Sequence, residues 1–333
     1  MSSPAAALEE VASVAQRLAA LLAAGVTPER AWQYLEAPVA AEPPPRAPRS
    51  IRTLEAASVI AAAAAAARRA GDVAAAVRAE CAQAPPFGAP RHRAAAWGLF
   101  AATWAVAVRS GSPLAVTLQR FAASLGRAAA LHRELGIAFS GPKSTARLVG
   151  LLPMVALGFG LMLGFDTVHV LVATPVGWGC LAGGLGLMAA SQRWSHRLLA
   201  RAEPRELVPG LEPELVAVAM GSGASVERAR RLVADVLAVH APFLPAEARA
   251  ADARAVEAVL ELATRAGVPT VGLLHAESER RRADADAAGR AAAATVAVRL
   301  MIPLAVCVLP AFMLLGVVPV LVALFAGTGI SFG

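Results

Sequence analysis

The sequence predicts an all-α membrane protein, with two repeated helical-bundle cytoplasmic domains and three transmembrane helices. Three observations carry that fold class. No Lys or Arg lies between Arg147 and Arg193 and none follows Arg299, although the chain has 31 of them. The charged remainder is rich in Ala, Leu, Arg and Glu, punctuated by Gly and Pro at helix-length intervals. A set of turn motifs also occurs twice in the same order.

Residues 1–37 read as the N-terminal helical hairpin of the first cytoplasmic domain. Leu8, Val11, Val14, Leu18, Leu21 and Leu22 recur at three- and four-residue steps, one face of a helix. Gly25 closes that helix, and Thr27 with Pro28 opens the next in N-cap and first-turn positions. Residues 38–52 form a Pro-rich linker, because the Pro43-Pro44-Pro45 run cannot continue a helix. Residues 53–147 complete the first domain: Ala61 to Ala67 is strongly helix-forming, and Gly71, Pro85, Pro86, Gly88 and Pro90 interrupt it.

Residues 148–192 read as a transmembrane hairpin. Leu148 to Phe165 is uncharged, and at ~1.5 Å per residue a helix there spans about 27 Å, close to the hydrocarbon thickness. A second span runs over about 170–192, residues 193–299 form the second cytoplasmic domain, and 300–326 make the third span, with 327–333 an outward tail. Cationic flanks set the orientation: Lys143 and Arg147 precede the first span, Arg193, Arg197 and Arg201 follow the second, and Arg299 precedes the third. Both large polar regions and the N-terminus are therefore expected in the cytoplasm and the C-terminus outside, in a multi-pass protein of the cell (inner or plasma) membrane.

The repeat is ordered. Gly25-Val-Thr-Pro-Glu-Arg-Ala31 reappears as Gly223-Ala-Ser-Val-Glu-Arg-Ala229, with Thr27 and Ser225 each placed where a helix starts. Arg109-Ser-Gly-Ser-Pro113 matches Arg265-Ala-Gly-Val-Pro269, and Thr145 stands before Pro153 as Thr295 stands before Pro303. One module used twice accounts for all three correspondences.

Other motifs are weaker. The net charge of +7 invites nucleic acid, but the excess sits in the N-terminal region, 16 basic against 9 acidic residues, without interleaved aromatics. Attraction to an anionic inner leaflet explains it, and no nucleic-acid partner is expected. Gly136 to Ser144 approximates a phosphate-cradling loop, but Pro142 removes a backbone N–H and no strand precedes it. The six histidines have no metal spacing, Cys81, Cys180 and Cys307 form no framework, and neither metal, cofactor nor catalytic residue is expected. Glu277, Glu279, Asp284 and Asp286 alternate with Arg280, Arg281, Arg282 and Arg290 as a solvated helix surface would. Asp166 falls at the tip between two spans, at headgroup water. Gly160 and Gly164, and Gly179 and Gly183, have the G-x-x-x-G spacing for close helix packing within the membrane.

The chain resembles the type II secretion system F family, and within it the tight-adherence (Tad/Flp) pilus assembly branch. The resemblance rests on Leu22 to Ala31, on Trp104 through Arg109-Ser-Gly-Ser-Pro-Leu114, on Thr145 to Pro153, on Thr174-Pro-Val-Gly177 and on Leu300 to Phe312. It implies a non-enzymatic inner-membrane platform that couples a cytoplasmic secretion or pilus-assembly ATPase to pilin subunits drawn from the lipid bilayer, as a homo-oligomer or with a paralogous platform protein. On that reading Gly25, Thr27, Glu29 and Arg30, with Gly223, Ser225, Glu227 and Arg228, are the expected partner-contact turns. The competing reading is a small transporter or channel, which requires polar residues along a pathway through the spans.

Overall fold

The computed structural model describes residues 4–36, 51–82, 89–138, 155, 158, 162, 174–202, 206–319 and 321–322. Among them every regular element is a helix. The chain divides into two compact units, one made of Met1–Arg133 with Pro204–Ala287 and the other of Glu134–Glu203 with Ala288–Gly333.

The first unit contains α1 (Pro4–Ala23), α2 (Pro28–Glu36), α3 (Ile51–Arg68), α4 (Val73–Cys81), α5 (Ala89–Ser110) and most of α6 (Leu114–Ala138). The chain after residue 203 adds α8 (Leu211–Gly221), α9 (Val226–His240), α10 (Ala246–Ala266) and the first part of α11 (Thr270–Arg299). In α1 the expected stripe is the buried one: Leu8, Val11, Val14 and Leu18 point inward with Ala15 and Ala19. α5 is apolar around its whole circumference, as a helix enclosed by neighbours must be. It buries Trp97, Leu99, Phe100, Trp104 and Val106, and α1, α4, α8 and α9 all pack on it.

An aromatic cluster locks this centre. Trp32 meets Phe100 edge-on at 5.8 Å and Trp104 at 5.6 Å, and Phe100 also meets Trp97 at 5.5 Å and Phe121 at 6.2 Å. Such pairs add about 0.5–1.5 kcal/mol each beyond their buried area. Two close approaches tie the early helices to the late ones. The Ser112 hydroxyl donates to the Val218 carbonyl at 2.6 Å, and Gly98 lets α5 lie against the His240 carbonyl and the Phe243 ring. The polar regions on either side of residues 148–192, expected as separate bundles, thus share one hydrophobic core across residues 1–133 and 204–287.

The second unit pairs α7 (Pro175–Ala202) with the helix that continues from α11 through Met301–Pro303, Leu304–Val308, Leu309–Phe312 and Met313–Val317. The Thr174 hydroxyl caps α7 by accepting from the Gly177 N–H at 3.0 Å, with Pro175 in the first turn. α7 continues past residue 192 to Ala202, because Arg193, Arg197 and Arg201 are helix formers with no breaker among them. The third apolar stretch begins inside one 48-residue helix, Thr270–Val317, the only described helix long and apolar enough to cross a membrane. Around Pro310, which has no N–H to give, the turns widen to π geometry at Leu304–Val308 and Met313–Val317. α7 falls short of the same apolarity because Gly177, Gly179, Gly183, Gly184 and Gly186 dilute it. The expected span at 148–165 lies almost wholly outside the described residues. So do Lys143, Arg147, Gly160, Gly164, Asp166, residues 38–50 of the linker and the tail 327–333.

Candidate partner-contact site

The two turns singled out in the sequence have matching geometry. Gly25 has φ +84° and Gly223 φ +91°, the left-handed region that favours glycine after a helix. Gly25 N–H reaches the Leu22 carbonyl at 3.1 Å and Gly223 N–H the Met220 carbonyl at 2.9 Å. The next helix opens alike in both, with Ala31 N–H donating to the Thr27 carbonyl and Ala229 N–H to the Ser225 carbonyl, each at 2.9 Å. Ser225 Oγ also accepts from the Arg228 N–H at 3.4 Å. Ala31 and Ala229 are fully buried beneath the turns, whereas Gly25, Thr27, Glu29, Arg30, Gly223, Ser225, Glu227 and Arg228 are all exposed.

The acidic member of each turn is engaged within its own helix. Glu29 Oε1 accepts from Gln33 Nε2 at 3.2 Å, and Glu227 Oε1 from Arg231 Nε at 2.8 Å. That hydrogen bond and the Arg231 charge hold the Glu227 carboxyl below its ordinary range. The Arg30 and Arg228 side chains make no hydrogen bond or ion pair with any described residue. The positively charged member of each motif is therefore the one whose side chain is not engaged by any described residue.

Both turns lie at one end of the unit. α1 and α5 run in parallel: Glu10 pairs with Arg93 at 3.1 Å near their starts, and Trp32, just beyond α1, meets Trp104 near the end of α5. The Ser112 bond to Val218 brings the last turn of α8 to the same end. Gly25, Gly111 (φ +76°) and Gly223 hence terminate three helices side by side, and Arg109 is exposed among them with Arg30 and Arg228. The second motif pair also matches, since Gly111 and Gly267 (φ +66°) both adopt the left-handed conformation after α5 and α10.

Sequence reasoning missed a buried ionic network where α11 was read as a solvated surface. Glu214 of α8 accepts from the Ser278 hydroxyl at 2.7 Å. His275 Nδ1 lies 3.3 Å from Oε1, Arg282 Nη2 3.6 Å from Oε2, and Arg120 Nη1 3.7 Å from Oε1. Burial pushes the Glu214 carboxyl up, but His275, Ser278 and Arg282 outweigh it and bring it down to about 2. Beside it, Asp252 accepts the Glu212 N–H at 3.3 Å and pairs with Arg281 at 2.8 Å. Glu212 has no such partner, and burial, then the Asp252 charge, raise its carboxyl to about 7. The solvated reading holds for Arg280 and Asp284, whereas Glu277 is largely covered and Arg281 and Arg282 face inward. Their enclosure is set by α8 and α10, and periodicity within α11 carries no trace of it.

In the second unit the close-packed face differs from the G-x-x-x-G expectation. Among the residues of α7 whose burial is described, Gly177, Cys180, Gly184 and Ser191 are the buried positions. A Cβ at Gly184 would meet the Leu315 Cδ atoms at 2.8 Å, one at Gly183 would reach Leu314 Cδ1 at 3.3 Å, and one at Gly179 would meet nothing within 4 Å. The Ser191 hydroxyl donates to the Pro303 carbonyl at 3.4 Å on the same face. Arg193, Arg197 and Arg299 are exposed. Cys81, Cys180 and Cys307 are unpaired, and burial, with the Glu80 charge, pushes the Cys81 thiol up to about 12, an unreactive state. Among the described residues no group of His, Cys, Asp and Glu could hold a metal ion.

No family model, curated protein or solved structure matches the chain.

Proposed function

We propose that this chain is a non-enzymatic membrane platform of a pilus-assembly or type II secretion machine. On this reading it couples a cytoplasmic assembly ATPase to the extraction and polymerisation of pilin subunits. One observation carries it: the exposed turns, with the Arg30 and Arg228 side chains unengaged among the described residues, lie at the same end of one compact helical unit. A platform that receives a mechanical stroke needs a surface for the motor and a stiff body behind it, and contiguous packing supplies the coupling. The aromatic cluster beneath α2 and the core shared by early and late helices suit that task.

Membrane insertion is supported by the outer face of the C-terminal helix. Ile302, Val306, Leu309 and Met313 are exposed, while Pro303, Cys307, Ala311 and Leu315 on the opposite side are buried. A helix apolar on both faces suits lipid better than water. The proposed arrangement has three spans in a duplicated module, both polar regions cytoplasmic and the C-terminus outside. The matched turns at Gly25 and Gly223, and at Gly111 and Gly267, favour the duplication.

The experiment is co-purification of the detergent-solubilised chain with a pilus-assembly ATPase from the same genome, with and without Arg30→Glu and Arg228→Glu. Reversal of both charges is expected to weaken capture by an order of magnitude or more. Capture unchanged by the double reversal removes the turns as the contact. Labelling of a cysteine placed in either polar region from outside intact cells removes the topology.

A further inference from the structure

We infer that α7 carries a binding site for the headgroup of an anionic glycerophospholipid, built by Arg193 and Arg197 beside Ala190, Trp194 and Leu198. These five residues line a recess of about 390 Å³, the size range of a small-molecule site. Arg193 and Arg197 stand one helical turn apart on the same face, so both guanidinium forks reach one phosphate. Both are exposed, and neither side chain makes a hydrogen bond or ion pair with any described residue.

Arginines on other long helices have acids one turn away, as Arg231 has Glu227, Arg265 has Glu261 and Arg280 has Asp284, or pair with a neighbouring helix, as Arg93 of the acid-free α5 does with Glu10. α7 contains no Asp or Glu along its whole length. Two like charges one turn apart repel, and the anion that relieves them has to come from outside the helix.

The neighbouring stripe identifies the kind of anion. Ala190, Trp194 and Leu198 follow at four-residue intervals alongside the arginines, so a basic stripe and an apolar stripe run together. Ala190 leaves the hollow, and Trp194, 43% exposed, forms its wall with the amphipathic ring that favours the headgroup level. Toward the start of α7, Leu185 and Trp178 form a separate exposed apolar patch at 56% and 63%, on the side of the helix away from Trp194. A phosphodiester with acyl chains matches both stripes at once, whereas a free phosphate uses only the first. This inference rests on the membrane reading above.

The test uses the full chain, delipidated in detergent and reconstituted into nanodiscs of phosphatidylcholine with or without phosphatidylglycerol. Retained lipid is read by native mass spectrometry, and vesicle flotation is run in parallel. The wild type is expected to hold phosphatidylglycerol in preference to phosphatidylcholine. Arg193→Gln with Arg197→Gln is expected to lower that retention by on the order of 30-fold, while Arg254→Gln leaves it unchanged. Equal retention by the double variant, or no preference in the wild type, overturns the site. Competition by soluble glycerol phosphate as strong as that by the lipid overturns the lipid assignment. A chain that fails to float with vesicles overturns the membrane reading itself, a result distinct from flotation without selective retention.

Discussion

Gly98 offers the sharpest test of how the early and late helices are joined. An added Cβ there would lie 2.6 Å from the His240 carbonyl oxygen and 2.9 Å from Phe243 Cε1. The ring can rotate aside, but the carbonyl belongs to the last turn of α9 and moves only if that helix moves. Overpacking of this kind costs about 1–3 kcal/mol, and alanine returns about 1 kcal/mol through its helix propensity. Since the fixed carbonyl is the closer obstacle, Gly98→Ala is expected to destabilise by about 2 kcal/mol. Gly126 in α6 is the control, because a Cβ there meets nothing within 4 Å and alanine is expected to stabilise by up to about 1 kcal/mol. Thermal unfolding of the purified chain, followed by circular dichroism in one detergent, compares the two. At roughly 2–4 °C per kcal/mol the variants should separate by about 6–12 °C, in opposite directions from the wild type. Hydrogen exchange should accelerate in α5 and α9 of Gly98→Ala. A Gly98→Ala protein as stable as the wild type, with unchanged exchange there, refutes the joining of α5 to α9.

Glu214→Ala leaves the enclosed Arg282 with only the half-exposed Glu279, 3.0 Å away, as counter-charge, and a loss of about 3 kcal/mol, the lower end for a broken buried pair, is expected in denaturant titration; removing the Ser278 hydroxyl costs about 1 kcal/mol. Because the folded Glu214 carboxyl lies near 2, below its ordinary value of 4.5, its contribution is complete above pH 4.5. It is lost as pH falls from 4.5 toward 2, and wild type minus Glu214→Gln stability measured against pH checks this. Glu212 has the opposite sign. Its folded carboxyl, raised to about 7 from 4.5, favours the folded state below pH 4.5 and penalises it as pH climbs through 7. Glu212→Gln is therefore expected to flatten the decline between pH 4.5 and 7, and an unchanged slope contradicts it. In the second unit Gly184→Ala is expected to loosen α7 from Leu315, while Gly179→Ala, facing open space, is neutral or stabilising; cysteine cross-linking between the helices reads the difference.

What the sequence made legible was local. The stripe of Leu8, Val11, Val14 and Leu18, and the turns at Gly25, Gly111, Gly223 and Gly267, follow from helix periodicity and from the backbone freedom of glycine, and both act within a few residues. The repeat made the two matched turns visible for the same reason. Their placement at one end of one unit was not legible, because it depends on Ser112 reaching Val218 and on Gly98 admitting α9, contacts across more than a hundred residues. Arg281 and Arg282 were hidden likewise: a charged residue followed by its i+3 and i+4 partners looks solvated whether or not another helix covers it. In α7 the G-x-x-x-G spacing identified glycine-mediated packing but not its face, since Gly183 and Gly184 differ by one residue and only the partner helix decides between them.

These long-range ties bear on the proposed mechanism. Had the regions before and after residues 148–192 folded as two independent bundles, a force applied at the Gly25 turn would reach the late helices only through the chain. Instead α5 touches α1, α4, α8 and α9, so displacement of either contact turn loads a common core. Past Arg299 the chain runs on from α11 into the apolar segment ending at Val317, and under the platform reading this segment carries the load. A proline at Ala288, where α11 passes from the one unit to the other, would remove a backbone hydrogen bond and kink α11 at a cost of about 3 kcal/mol without touching the contact turns. Under the platform reading, Ala288→Pro is expected to preserve ATPase capture and abolish pilus assembly. Assembly at wild-type levels with capture intact would show that force does not travel along α11.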